Sequence, residues 1–163
     1  MNGPVRRRAG RALRSRRGTA TVELALVLPT LIVLVFGVIE VGLLVRATLA
    51  VNHVANEAAR AAAIGTTPAQ IDASLPAMSP GINAQLITAT YTCRTWDEET
   101  QTWGPWVTLG SSGTENDAAS GSQVMVEFQY PYGMVFARLF GAMLHASDDG
   151  TIPLSASMVT IRE

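Results

Sequence analysis

Residues 24–45 read LALVLPTLIVLVFGVIEVGLLV, and how the rest of the chain is read follows from them. The run is 22 residues long and contains one ionisable side chain, Glu40. As an α-helix it is about 33 Å long, enough to cross the hydrocarbon core of a bilayer. Seven arginines precede it, at positions 6, 7, 8, 11, 14, 16 and 17, and no acidic residue lies among them. Basic residues beside a membrane span stay on the cytoplasmic side. This pattern predicts one pass through the cytoplasmic membrane, with the N-terminus inside and everything after Val45 outside.

The overall charge hides this asymmetry. The formal net charge is −1, but every basic residue is arginine and seven of the twelve precede Gly18. The remaining five face all thirteen acids, which leaves residues 18–163 at −8. Nucleic-acid binding needs a basic patch, so the acidic outer part argues against that partner. Beside an apolar helix, the arginine run is an orientation signal and a contact for anionic lipid. A single cysteine, Cys93, excludes an intramolecular disulfide, and two histidines, His53 and His145, are too few for the usual zinc sites. Neither a metal nor a cofactor is expected. No GxSxG, HExxH, CxxC or phosphate-cradling glycine loop occurs, so catalysis is not expected either.

Glu23 stands at the mouth of the apolar run, where an anchor usually carries only basic residues. A first-turn acid favoured by the helix dipole is one reading. The other is that a carboxylate entering lipid needs a cationic partner. Gly18, four further residues, Glu23 and a long apolar helix resemble the processing motif of type IV pilin-like proteins. The longer string RGTATVELALVLPTLIVLVFGVIE (17–40), followed by NEAARAAA (56–63), resembles the TadE family of pilus-assembly pseudopilins.

That resemblance implies several things beyond the residues themselves. A prepilin peptidase would cut between Gly18 and Thr19, making Glu23 the fifth mature residue. Glu23 would then pair with the N-terminal amine of a neighbouring subunit, removing two charges from lipid together. The partners implied are the peptidase, other Tad pilus subunits, the inner-membrane assembly platform and the lipid bilayer. Leu24 stands where the related Flp pilin has tyrosine, which argues against the major pilin and leaves the reading as a minor subunit of the tight-adherence system intact. Two accounts compete with this one. A secretory signal peptide has a shorter apolar core, usually 7–15 residues. An uncleaved single-pass anchor carrying an extracytoplasmic binding module is the alternative function.

Outward from the span, Pro29 is expected to kink the helix or end its first turn. Glu40 is expected to reach the headgroup interface or to meet a partner helix. Val51, Val54, Ala55, Ala58 and Ala62 share one helical face, with Asn52, His53, Asn56, Glu57 and Arg60 opposite. A rod from Thr19 to Ile64 follows, its outer half carrying an alanine stripe against which a sheet can lie close. Gly65 is a C-cap, and Thr67-Pro68 open a short helix over 69–75, broken by Pro76, Pro80 and Gly81. A strand is expected at 84–94, with Ile87, Ala89, Tyr91 and Cys93 on one face. Trp96, Trp103 and Trp106 surround an acidic turn, either packed over the sheet edge or forming a contact surface. Residues 110–121 read as a flexible loop. A strand at 123–130 turns Val124, Val126, Phe128 and Tyr130 inward and stops at Pro131. Residues 135–144 form a short helix or packed loop, with Met134, Phe140 and Met143 filling the core. Asp148-Asp149-Gly150 turn into a final edge strand at 151–162.

The expected fold class is α+β and pilin-like: one long N-terminal helix, transmembrane in its first half, packed against a small antiparallel sheet. The expected parts are a basic leader (1–18), the helix (19–64) and an extracytoplasmic α+β domain (65–163).

Overall fold

The computed structural model of the chain describes residues 12–137 and 149–163. Helix α1 (Ala12–Ala63) begins seven residues before the expected Thr19. Ala12, Leu13 and the arginines that follow are strong helix formers, so local propensity outweighs their mutual repulsion. The helix also continues through Pro29 rather than ending there, although the ring removes one N–H from the ladder and crowds the carbonyl four residues earlier. By contacts the chain divides into two units, Met1–Ile39 and Glu40–Glu163. The second unit takes in the outer part of α1 together with everything after it.

Within the second unit, Val51, Val54, Ala55, Ala58, Ala59 and Ala62 are buried. Asn52, His53, Asn56 and Arg60 are exposed and Glu57 is half-buried, which is the division the helical periodicity requires. Alanines on the packed face let the backbone of α1 approach the sheet closely. The core opposite them comprises Tyr91, Cys93, Leu109, Val124, Val126, Phe128 and Ala156, closed at one side by Ile71 and Leu75. Phe128 meets Tyr91 edge-on, with ring centroids 6.2 Å apart.

The end of α1 is bound on all sides. Thr66 N–H donates to Ala61 O and Gly65 N–H to Ala62 O, the paired bonds of a Schellman cap. Gly65 has φ +97°, and a Cβ there would meet the Arg162 guanidinium. Arg162 donates to Ala63 O at 3.2 Å and pairs with Glu115 at 2.8 Å, placing positive charge at the helix's negative end. Helix α2 (Pro68–Met78) starts with Thr67 and Gln70 in a reciprocal capping box. It runs through Pro76, three residues beyond the expected end, and Ser79 Oγ then satisfies Leu75 O at 2.6 Å.

After a single 3-10 turn (Ala84–Leu86), strand β1 (Thr88–Arg94) carries Tyr91 and Cys93 inward. Two-residue strands follow: β2 (Trp96–Asp97), β3 (Thr102–Trp103), β4 (Val107–Thr108), β5 (Ser111–Ser112) and β6 (Glu115–Asn116). The long strands β7 (Gln123–Gly133) and β8 (Thr151–Ile161) complete an antiparallel sheet in the order β4-β1-β7-β8. The α+β class therefore stands, a long helix on a small antiparallel sheet.

Two sequence expectations for this region are corrected. Residues 110–121 do not form a flexible loop: β5 and β6 pair as a hairpin. The buried Asn116 side chain donates to Ala62 O at 2.8 Å and Thr66 O at 3.1 Å, holding that hairpin to the end of α1. Pro131 does not stop β7. It lies opposite Pro153 of β8, and β1 no longer flanks β7 beyond Gln129. No neighbouring strand needs either missing N–H there, so the ladder continues. Pro153 is on an edge strand, as expected. Met134 is buried; Phe140, Met143, His145 and Asp148 lie outside the described residues. Asp149 Oδ1 accepts from both the N–H and the hydroxyl of Thr151, which hold its carboxyl below the usual range.

Candidate functional site

The residues singled out by sequence all lie on α1. Gly18 and Thr19 are within the helix. Glu23 is exposed, and among the described residues it makes no hydrogen bond or ion pair. Beyond it Leu24, Leu26, Val27, Leu31, Leu34 and Val38 are all exposed, Leu26 at 76%. None of the most apolar stretch is covered by protein, and the helix is long and apolar enough to cross a membrane. In water so large an uncovered apolar surface is unfavourable; in lipid it is what a span requires.

At Glu40 the environment changes abruptly. Its side chain is only 1% exposed. Tyr132 donates its hydroxyl to Glu40 Oε1 at 3.2 Å, and Val135 N–H donates to the same oxygen at 3.2 Å. Phe136 N–H donates to Oε2 at 2.9 Å. The carboxylate thus accepts two successive backbone donors and one phenol, the kind of compensation a buried acid needs. Burial, and then the adjacent carboxylate, push Tyr132 up to about 12. Just outward, Ala47, Tyr132 and Met134 form a second small core, flanked by Leu43, Leu44, Ile82, Ile152 and Leu154.

These contacts correct the sequence expectation for Glu40, which gave it a headgroup or a partner helix. Its partners belong to its own chain, 92 to 96 residues later. The sequence did contain a signal. Glu40 is the one acid within the apolar run, and the YPY at 130–132 supplies a hydroxyl. Nothing in the spacing showed that the two meet, because a contact between a helix and a strand end depends on sheet register.

The tryptophans resolve into a self-contained stack. Trp96 and Trp103 face each other across the β2–β3 hairpin, edge to face at 5.2 Å. The Arg94 guanidinium covers Trp103 at 5.4 Å and Trp106 at 4.4 Å, while its Nε donates to Gln123. The cation–π contacts occupy two of the aromatic faces a ligand would use. Cys93 is buried, and burial followed by the charge of Asp117 pushes its thiol up, which makes it an inert core residue. Among the described residues no group of three or more His, Cys, Asp and Glu side chains is placed to hold a metal ion.

Three arginines, an acid at the start of the apolar run, an uncovered apolar stretch and an alanine-faced outer half thus follow one another along α1. Residues 18–60 match the family described as TadE-like protein. The match begins at Gly18 and ends on the packed half of α1, before α2 and the sheet. No curated protein and no solved structure matches the chain.

Proposed function

We propose that this chain is a TadE-like minor pilin or pseudopilin, a single-pass membrane subunit that helps assemble a Tad-type pilus. The reading rests chiefly on one observation: the TadE-like segment lies on a helix whose apolar half is bare while its outer half carries a folded unit. In this reading a prepilin peptidase removes the leader between Gly18 and Thr19. Glu23 then meets the new N-terminal amine of an adjacent subunit, and the apolar helix moves from lipid into a bundle of like helices. The span is Leu24 to Val45, with the N-terminus cytoplasmic and the α+β unit outside. The work is packing and extraction, without turnover of a substrate.

Accurate mass of the protein from a membrane fraction tests this directly. Loss of residues 1–18 is expected, and Gly18→Leu should retain them. Glu23→Ala should leave insertion unchanged and reduce recovery with partner subunits. An intact N-terminus in the native protein, with no association between like helices, would favour the uncleaved anchored binding module. The exposed Trp96, at 42%, is the observation that supports this second reading.

A further inference from the structure

Strand β8 is an edge of the sheet: it pairs with β7 on one side and, among the described residues, with no strand on the other. It is 11 residues long, whereas β4, the opposite edge, has two. An edge of that length is usually guarded by charges, bulges or prolines. Residues 151–161 read TIPLSASMVTI, with no charge and a single proline near the start. Val159 and Ile161 are 46% and 58% exposed.

The hydrogen bonds at both ends of β8 show which of its groups face the free edge. Arg162 N–H donates to Ser122 O and Gly121 N–H donates to Arg162 O, both at 2.8 Å. At the other end Met134 N–H donates to Gly150 O at 3.1 Å. The register between β7 and β8 is unbroken between these points. Antiparallel ladders alternate residue by residue, so the even-numbered residues bond to the β7 side and the odd-numbered ones point outward. Pro153 has no N–H to offer there, and Thr151 N–H is taken by Asp149. Ser155, Ser157, Val159 and Ile161 remain, each with an outward N–H and carbonyl that have no partner among the described residues.

Those four residues lie symmetrically about Met158, and the symmetry identifies the occupant. Two antiparallel copies of β8, related by a two-fold axis at Met158, place Ser155 opposite Ile161 and Ser157 opposite Val159 of the second copy. Every free N–H then meets a free carbonyl, Pro153 falls beyond the paired stretch, and no like charges meet. Such a contact uses the same edge on both copies and closes at two.

We propose that β8 is a homodimer interface, its free edge pairing with β8 of a second copy to join two sheets into one. The interface lies wholly within the unit Glu40–Glu163 and goes beyond the pilin reading, since it holds whether or not residues 1–18 are removed.

The test uses the full chain in maltoside micelles. In a Cys93→Ala background, Met158→Cys puts two thiols on residues whose Cα atoms are about 4.5 Å apart, within disulfide range. Mild oxidation should cross-link it as a dimer. Ser155→Cys, whose two copies lie about 20 Å apart in this register, should not cross-link. Ser157→Pro removes an N–H that β7 does not use, so the fold should survive, as thermal melting can verify. Its ring blocks the pairing, and sedimentation equilibrium should show dimer dissociation about tenfold easier, as expected for the hydrogen bonds lost. Association through the apolar helix alone would be indifferent to this substitution. Dimers unchanged in Ser157→Pro would overturn the proposal, as would a monomeric wild type or a cross-link through Ser155→Cys without one through Met158→Cys.

Discussion

The two halves of α1 are made for different surroundings. From Leu24 to Ile39 the helix is apolar on every side, and its leucines, valines and isoleucines are uncovered. From Val51 outward, small residues occupy one face and are buried, while polar residues occupy the other. A lipid-facing helix needs bulk and apolarity all round, because every direction is hydrocarbon. A helix packed on a sheet needs bulk removed from one stripe only. The same backbone serves both because side-chain size and polarity, rather than helix propensity, decide what covers it.

The largest effect should come from charging the first half. Leu31→Asp with Leu34→Asp should add about 6–8 kcal/mol to the cost of insertion. Most of the protein should then leave the membrane fraction, while the melting of the second unit is unchanged. Next comes the junction. Glu40→Ala would leave two backbone N–H groups and the Tyr132 hydroxyl without their acceptor, for a loss of about 3 kcal/mol in urea unfolding. Glu40→Gln should recover part of that, since one amide oxygen still accepts.

A pair of equivalent substitutions separates the halves most clearly. Ala58→Leu forces bulk into the closed stripe and should destabilise the second unit by about 1–3 kcal/mol. Ala25→Leu, on the bare half, should leave both stability and insertion unimpaired. The smallest effect is one of pH. Tyr132 is held neutral up to about 12 and Tyr91 is likewise raised, by burial and then by its hydrogen bond to Asp72. Above pH 10 the unfolded chain loses these protons first, so stability should fall as pH rises from 10 through 12. Tyr132→Phe should flatten that decline.

Much of the fold can be read from local pattern. Gly65, Thr67 and Pro68 mark helix ends through backbone geometry that neighbours alone dictate. Val124, Val126 and Phe128 alternate, and alternation is what a strand with one buried face requires. The failures share a cause as well. Pro131 looks like a break because local rules penalise a missing N–H, but no neighbouring strand needed that N–H where the sheet put it, while at Pro76 the helix gives up one internal bond and still runs on to Met78. The polar run at 110–121 resembles a loop until Asn116 reaches the carbonyls that end α1.

The sequence by itself determined that α1 has a lipid-suited half and a protein-suited half, because hydropathy and helical period are properties of neighbouring residues. It also determined where the alanine stripe faces. Only the tertiary structure decided what Glu40 is for. A buried carboxylate is satisfied by whichever donors the fold delivers, and here they come from the end of β7 and the turn after it, more than ninety residues away.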